Sequence, residues 1–140
     1  PIYSVVLYDA VAGGAGIGAL LRWVLGLGFD AVFPAIPLGT LLANVLGGFL
    51  MGLVIGSIDQ FQTLPLEWRL ALTTGFLGGL TTFSTFSGET LNHLLRQQWG
   101  WAGALVFVHV AGSILAALLG VVVIRAIVPQ WGQHNASGQP

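Results

Sequence analysis

Residues 73–89 read T-T-G-F-L-G-G-L-T-T-F-S-T-F-S-G-E, a run of hydroxyls and glycines inside a long apolar segment. Thr81, Thr82, Ser84, Thr85 and Ser87 place five hydroxyls within seven residues, just after Gly75, Gly78 and Gly79. Phe83 and Phe86 are three apart, so on a helix they share one face. This set suits an ion that must shed its water. Hydroxyls donate hydrogen bonds, and the positive edges of aromatic rings solvate an anion without a fixed charge. The Gly-Gly pair followed by threonines suggests a break in the helix. Carbonyls freed at a break can hold a cation, and freed N–H groups an anion. Such backbone must be buried in protein or line a cavity.

Further polar positions accompany the run. Asn44 lies in an earlier apolar segment, with Thr40 one turn before it on the same face. Its amide supplies two donors and an acceptor. It serves either an interhelical bond worth about 0.6–2 kcal/mol or an ion pathway. His109 and Ser113 are four apart on one face of the last apolar segment and read as a polar track. Glu89 reads as a vestibule charge or as the partner of Arg22 or Arg96. Arg22 either snorkels to the interface or attracts an anion.

A metal site at His109 lacks the cysteines or carboxylate cluster to complete it. Ser84 with His109 offers a nucleophile and a base, but no third group or oxyanion motif completes an intramembrane protease. The chain is therefore read as no enzyme. Asp9, Asp30, Asp59 and Glu67 all fall near segment ends, which leaves Glu89 as the one candidate for proton coupling. A proton-coupled small dual-topology transporter using Glu89 is thus the alternative to a passive pathway.

Composition dictates what positions these groups. Of 140 residues, 55% are hydrophobic and 6% charged, where soluble domains carry about 25% charged residues. The chain therefore belongs in a lipid bilayer. A net charge of −1 provides no basic patch for nucleic acid. The absence of cysteine excludes disulfides and thiolate metal sites. A start at Pro1 implies that an initiator Met has been removed or trimmed. The first apolar segment is long and Gly-rich with no basic residue before it, and reads as a spanning helix rather than a cleaved signal.

Residues 5–29, 38–58, 67–98 and 101–128 form four apolar segments, each long enough for a bilayer core of about 30 Å. Proline-bearing loops at 30–37 and 59–66 separate the first three. The third would measure about 40 Å or more as a straight helix, so it must tilt, overshoot or break. The expected fold is all-α, with one transmembrane domain at 1–128. It has four spans, and the third is broken near the membrane midplane around Thr82 and Phe83. Residues 129–140 form a polar disordered tail. Its Asn135-Ala136-Ser137 triplet is a glycosylation-type pattern that chance supplies often.

Small residues recur at helical spacing: Gly14 and Gly18, then Gly48, Gly52 and Gly56, then Gly112, Ala116 and Gly120. Such faces let helices approach closely in lipid, and tight packing is their reading. With four spans, Arg69 and Arg125 lie on one side of the membrane and Arg22 and Arg96 on the other, and there is no lysine. The positive-inside rule then has no bias to act on. Insertion in both orientations follows, and with it an antiparallel homodimer about a two-fold axis in the membrane plane.

G-G-A-G-I-G-A-L-L-R-W (13–23), G-T-L-L-A-N-V-L-G-G-F-L-M-G (39–52) and T-G-F-L-G-G-L-T-T-F-S-T-F-S (74–87) resemble the CrcB/Fluc fluoride channels over roughly residues 11–127. The resemblance implies an antiparallel dual-topology homodimer with two fluoride pores that protects bacteria from fluoride, in the inner membrane. It implies that Phe83 and Phe86 are pore phenylalanines and Asn44 the pore-lining asparagine. Thr40, Thr82, Ser84, His109 and Ser113 join the pore set, with His109 and Ser113 as the polar track of the fourth helix. Arg22 resembles the vestibule arginine and Glu89 a vestibule acid. Backbone carbonyls of Gly78 and Thr81 from both subunits would hold a central structural sodium ion. No organic cofactor is implied.

Overall fold

The structure, a computed structural model, describes residues 1–128. The expected tail and its Asn135 triplet lie outside the described residues. Among these, every regular element is helical: α1 (Ile2–Phe29), α2 (Leu38–Gly56), α3 (Ile58–Phe61), α4 (Leu66–Leu70), a π-helical segment (Ala71–Leu77), α5 (Gly78–Leu80), α6 (Phe83–Leu95) and α7 (Trp99–Ile127). Three of them, α1, α2 and α7, are long and apolar enough to cross a membrane, so the chain is a multi-pass membrane protein. The second expected segment stops early. α2 ends at Gly56, and Ser57 turns the chain into the short α3.

The third expected segment is not one helix. Its π-helical turn leads into α5. Thr81 (φ −83°, ψ 153°) and Thr82 (φ −147°, ψ 121°) then leave the helix before α6 begins. Local chemistry explains where each piece starts. Pro37 and Pro65 precede α2 and α4 with extended ψ angles of 109° and 147°. Thr82 caps α6, its hydroxyl accepting from the Thr85 N–H at 3.2 Å. The α2 N-terminus is capped from a distance: Asp30 Oδ1 accepts from Gly39 N at 2.9 Å and Thr40 N at 3.3 Å. A carboxylate there satisfies free N–H groups at the positive end of the helix dipole.

Two tight pairs make up the packing. α1 lies against residues 71–80: a Cβ at Gly14 would strike Ala71 O, one at Gly18 would strike Phe76 O, and one at Gly79 would strike Ala15 O. α2 lies against α7 through Gly48, Gly52 and Gly56. The facing surface of α7 is Ser113, Ala117 and Val121 with Gly120; of the Gly112–Ala116–Gly120 row expected from the sequence, Gly120 makes the close approach, to Phe49 O. A Cβ added at Gly112 would come no closer than 3.5 Å, to Val45, an ordinary contact. The backbone of Ala117 occupies the space that a Gly52 side chain would need, and the backbone of Phe49 the space that a Gly120 side chain would need, so both helices contribute clearance. Among the described residues only Leu80 and Leu105 are large and fully buried, while side chains such as Leu27, Ile114 and Leu118 are exposed. That is the surface a lipid environment favours.

Candidate functional site

The break at Thr81 and Thr82 needs partners for its backbone, and α2 supplies them. Asn44 Oδ1 accepts from the Thr82 N–H at 2.7 Å, and Asn44 Nδ2 donates to the Thr82 carbonyl at 3.0 Å. One side chain thus satisfies both backbone groups of one residue. In a continuous helix the Thr82 N–H would bond to Gly78 O; given to Asn44, it frees that carbonyl. The Gly79 carbonyl receives Arg22 Nε at 3.2 Å. Thr81 turns its hydroxyl back to Leu77 O at 2.9 Å and sets its methyl against Gly47, where a Cβ would collide with it.

A groove of about 360 Å³ runs beside the break, lined among others by Asn44, Thr82, Phe83, Phe86, His109 and Ser113. The α2 positions Thr40, Asn44 and Gly48 are spaced by one turn, as are His109 and Ser113 on α7, so each helix presents one stripe. Three rings line up along it. Phe83 and Phe86 meet edge-to-face at 5.6 Å, and Phe86 lies over the His109 imidazole at 4.6 Å. The two phenylalanines differ in surroundings: Phe86 is 8% exposed and Phe83 79%. His109 Nδ1 lies 3.1 Å from Asn44 Nδ2. Among the described residues, none of those lining the groove is a lysine, an arginine or a carboxylate.

Other predicted residues sit around this groove. Thr40 is buried and donates its hydroxyl to Glu89 Oε1 at 2.7 Å, which ties α2 to α6 one turn from Phe86. That contact is the geometry of Glu89, which the sequence offers as a partner for Arg22 or Arg96. Ser84 is not among the groove-lining residues; its hydroxyl is 3.3 Å from that of Thr82, on the exposed side. Arg22 reaches the helix break rather than the end of its helix. Gly78 has an open side, its nearest neighbour for an added Cβ being Thr73 O at 3.8 Å. Among the described residues no three His, Cys, Asp or Glu side chains gather to hold a metal ion.

Sequence reasoning misses two positioning residues. Asp30 caps α2 across a loop, and only its place directly before a Pro-rich turn hints at it. His93 Nε2 bonds to Ala35 O at 2.6 Å and its Nδ1 lies 2.8 Å from Gln98 Oε1, which pins that same loop to the end of α6. Nothing in the spacing announces this pair.

Residues 10–121 match the family described as CrcB-like protein, Camphor Resistance (CrcB). A protein of Tolumonas auensis is 52% identical over 120 residues, covering 86% of this chain and 92% of its own. One of Burkholderia cenocepacia is 51% identical over 124 residues, covering 89% and 94%. A third, of Cupriavidus pinatubonensis, is 52% identical over 120 residues, covering 86% and 95%. Each of the three is named "Fluoride-specific ion channel FluC". With a family match over most of its length and relatives at half identity along nearly their whole chains, this protein belongs to the CrcB family.

Proposed function

We propose that the chain is a passive, fluoride-selective ion channel of the bacterial inner membrane that lets fluoride leave the cell and so limits its toxicity. The observation that carries this reading is the groove beside the break. Rings, an amide and hydroxyls line it, and no charged side chain among the described residues does. Fluoride is small, strongly hydrated and a strong hydrogen-bond acceptor. Neutral donors and ring edges can replace its water, and with no lining cation to trap it the ion can leave again. The name shared by the relatives supports the same ion and a channel rather than an enzyme. It lends no support to a proton-coupled transporter working through Glu89.

In this reading residues 66–95 form a fourth crossing, with the break near mid-membrane. A single chain leaves Phe83 exposed beside the groove, and a second, inverted copy would cover it. The balanced arginines favour such an antiparallel homodimer, and its two-fold symmetry produces two equivalent pores. Asn44, Phe83, Phe86, Thr82, His109 and Ser113 line each one, Thr40 and Ser84 adjoin it, and Arg22 and Glu89 sit toward its approaches. The freed Gly78 carbonyl and that of Thr81 are neutral oxygen donors of the kind a hard cation prefers. Contributed by both copies, they would hold a structural sodium ion that ties the two breaks together.

Purified protein in liposomes should release fluoride down its gradient, carry current, and need no pH gradient. Release that depends on a pH gradient sinks the passive reading. For topology, a Gln62→Cys variant should be labelled from both sides of sealed vesicles, and labelling from one side alone rules out dual insertion.

A further inference from the structure

Thr82 dictates which way the Asn44 amide faces. The Thr82 N–H can only donate, so the Asn44 atom 2.7 Å from it is the carbonyl oxygen. The Thr82 carbonyl can only accept, so the atom 3.0 Å from it is the amide nitrogen. The orientation therefore rests on backbone chemistry rather than on how oxygen and nitrogen are distinguished. The same amide nitrogen faces His109 Nδ1 at 3.1 Å. It carries two hydrogens and no lone pair to offer, so Nδ1 must accept and is itself bare of a proton. A neutral imidazole then carries its single proton on Nε2.

That Nε2 is buried and has no hydrogen-bond partner among the described residues, on a residue only 4% exposed. Buried polar atoms are nearly always partnered, and an exception asks for a reason. Phe86 lies across this ring at 4.6 Å, and both residues line the groove. The fold thus keeps a neutral N–H donor in reserve under the aromatic stack. Glu89 Oε2 is also buried without a partner among the described residues, but Glu89 is not one of the residues lining the groove.

We propose that Asn44 fixes His109 as its Nε2–H tautomer, and that this N–H donates to fluoride as the ion passes Phe86. The proposal rests on the groove being the fluoride pathway. It adds a nitrogen donor of set direction to the hydroxyls and ring edges, and it leaves the pathway without a fixed positive charge. The Asn44 bond thereby does two things, holding the helix break and choosing the proton position on the imidazole.

The test is NMR of the 15N-histidine-labelled full chain, with His109 assigned by comparison with His109→Gln. The ring nitrogens should report a bare Nδ1 and a protonated Nε2. The Nε2–H signal should shift on adding sodium fluoride and stay in place with sodium chloride. An Nδ1–H tautomer, an imidazolium, or an Nε2–H indifferent to fluoride would overturn the proposal. Flux supplies a second arm. Gln places an amide N–H near the Nε2 position, whereas Asn reaches only the Nδ1 position. His109→Gln should therefore carry about tenfold or more fluoride flux than His109→Asn, as expected for one hydrogen bond to an ion. Equal flux in two equally well-folded variants contradicts the donor role. A wild type that conducts no fluoride removes the pathway reading and the donor role with it, while the spectrum still reads the tautomer.

Discussion

Asn44→Leu removes the one side chain that satisfies both backbone groups of Thr82. Leucine has nearly the same shape, so packing against α7 is largely kept. Bonds of 2.7 Å and 3.0 Å to Thr82 are lost, together with the 3.1 Å contact to His109 Nδ1. Each backbone group left without a partner costs about 1–3 kcal/mol. Thr82 is only partly buried, which places the pair toward the lower end, about 2–3 kcal/mol in all. At about 1.4 kcal/mol per tenfold, that shifts the balance between the native break and its alternatives by about 30- to 100-fold. Thermal unfolding in detergent should show a midpoint lowered by about 5 °C or more, and fluoride release from liposomes should fall in parallel. If the variant melts with the wild type and conducts as well, Asn44 does not hold the break, and the reasoning that links break to groove is wrong.

Phe86→Leu keeps an apolar group but removes the ring that touches both Phe83 and His109; flux should fall about tenfold or more, as for loss of a specific polar interaction, with an unchanged gel-filtration profile. Wild-type flux in this variant would remove the ring-edge argument. Gly52→Ala sets a methyl into the Ala117 backbone, 2.9 Å from its Cα, and should destabilise by about 1–3 kcal/mol through overpacking. Gly88→Ala faces open space inside α6 and should stabilise by about 0.5–1 kcal/mol through helix propensity; equal melting temperatures for the two would discount the α2–α7 contact. Asp30→Ala takes the cap from Gly39 N and Thr40 N and should cost about 1–2 kcal/mol in chemical denaturation, whereas Asp30→Asn should recover much of that loss.

The hydroxyl, glycine and phenylalanine run is visible in the sequence because polar residues in the middle of an apolar segment are costly unless used. The same logic singles out Asn44, His109 and Ser113, and the structure gathers them beside Phe83 and Phe86. Contacts between distant residues are harder to read. Thr40 and Glu89 are 49 apart and His93 and Ala35 are 58 apart, and no local pattern pairs them. Arg22 stands seven residues before the end of α1, and only the position of the break shows that it reaches Gly79 O. The α7 face is misjudged in part, for a simple reason. Glycines mark where a helix can be approached, but α2 supplies the clearance opposite Ser113 and Ala117, and of the expected α7 row Gly120 supplies it opposite Phe49. The Gly-Gly and threonine run marks where the segment leaves the helix, but the π-helical turn at Ala71–Leu77, packed on Gly14 and Gly18, has no signal in the sequence.

The measurement that bears most directly on the proposed channel is the reversal potential of current through the purified protein in a planar bilayer, with fluoride and chloride gradients varied independently. A passive fluoride-selective pore predicts a reversal potential that moves by about 59 mV for each tenfold change in the fluoride gradient, the one-electron-charge conversion, and that ignores chloride and pH. A potential that follows chloride, or that moves with the proton gradient at constant fluoride, would contradict it.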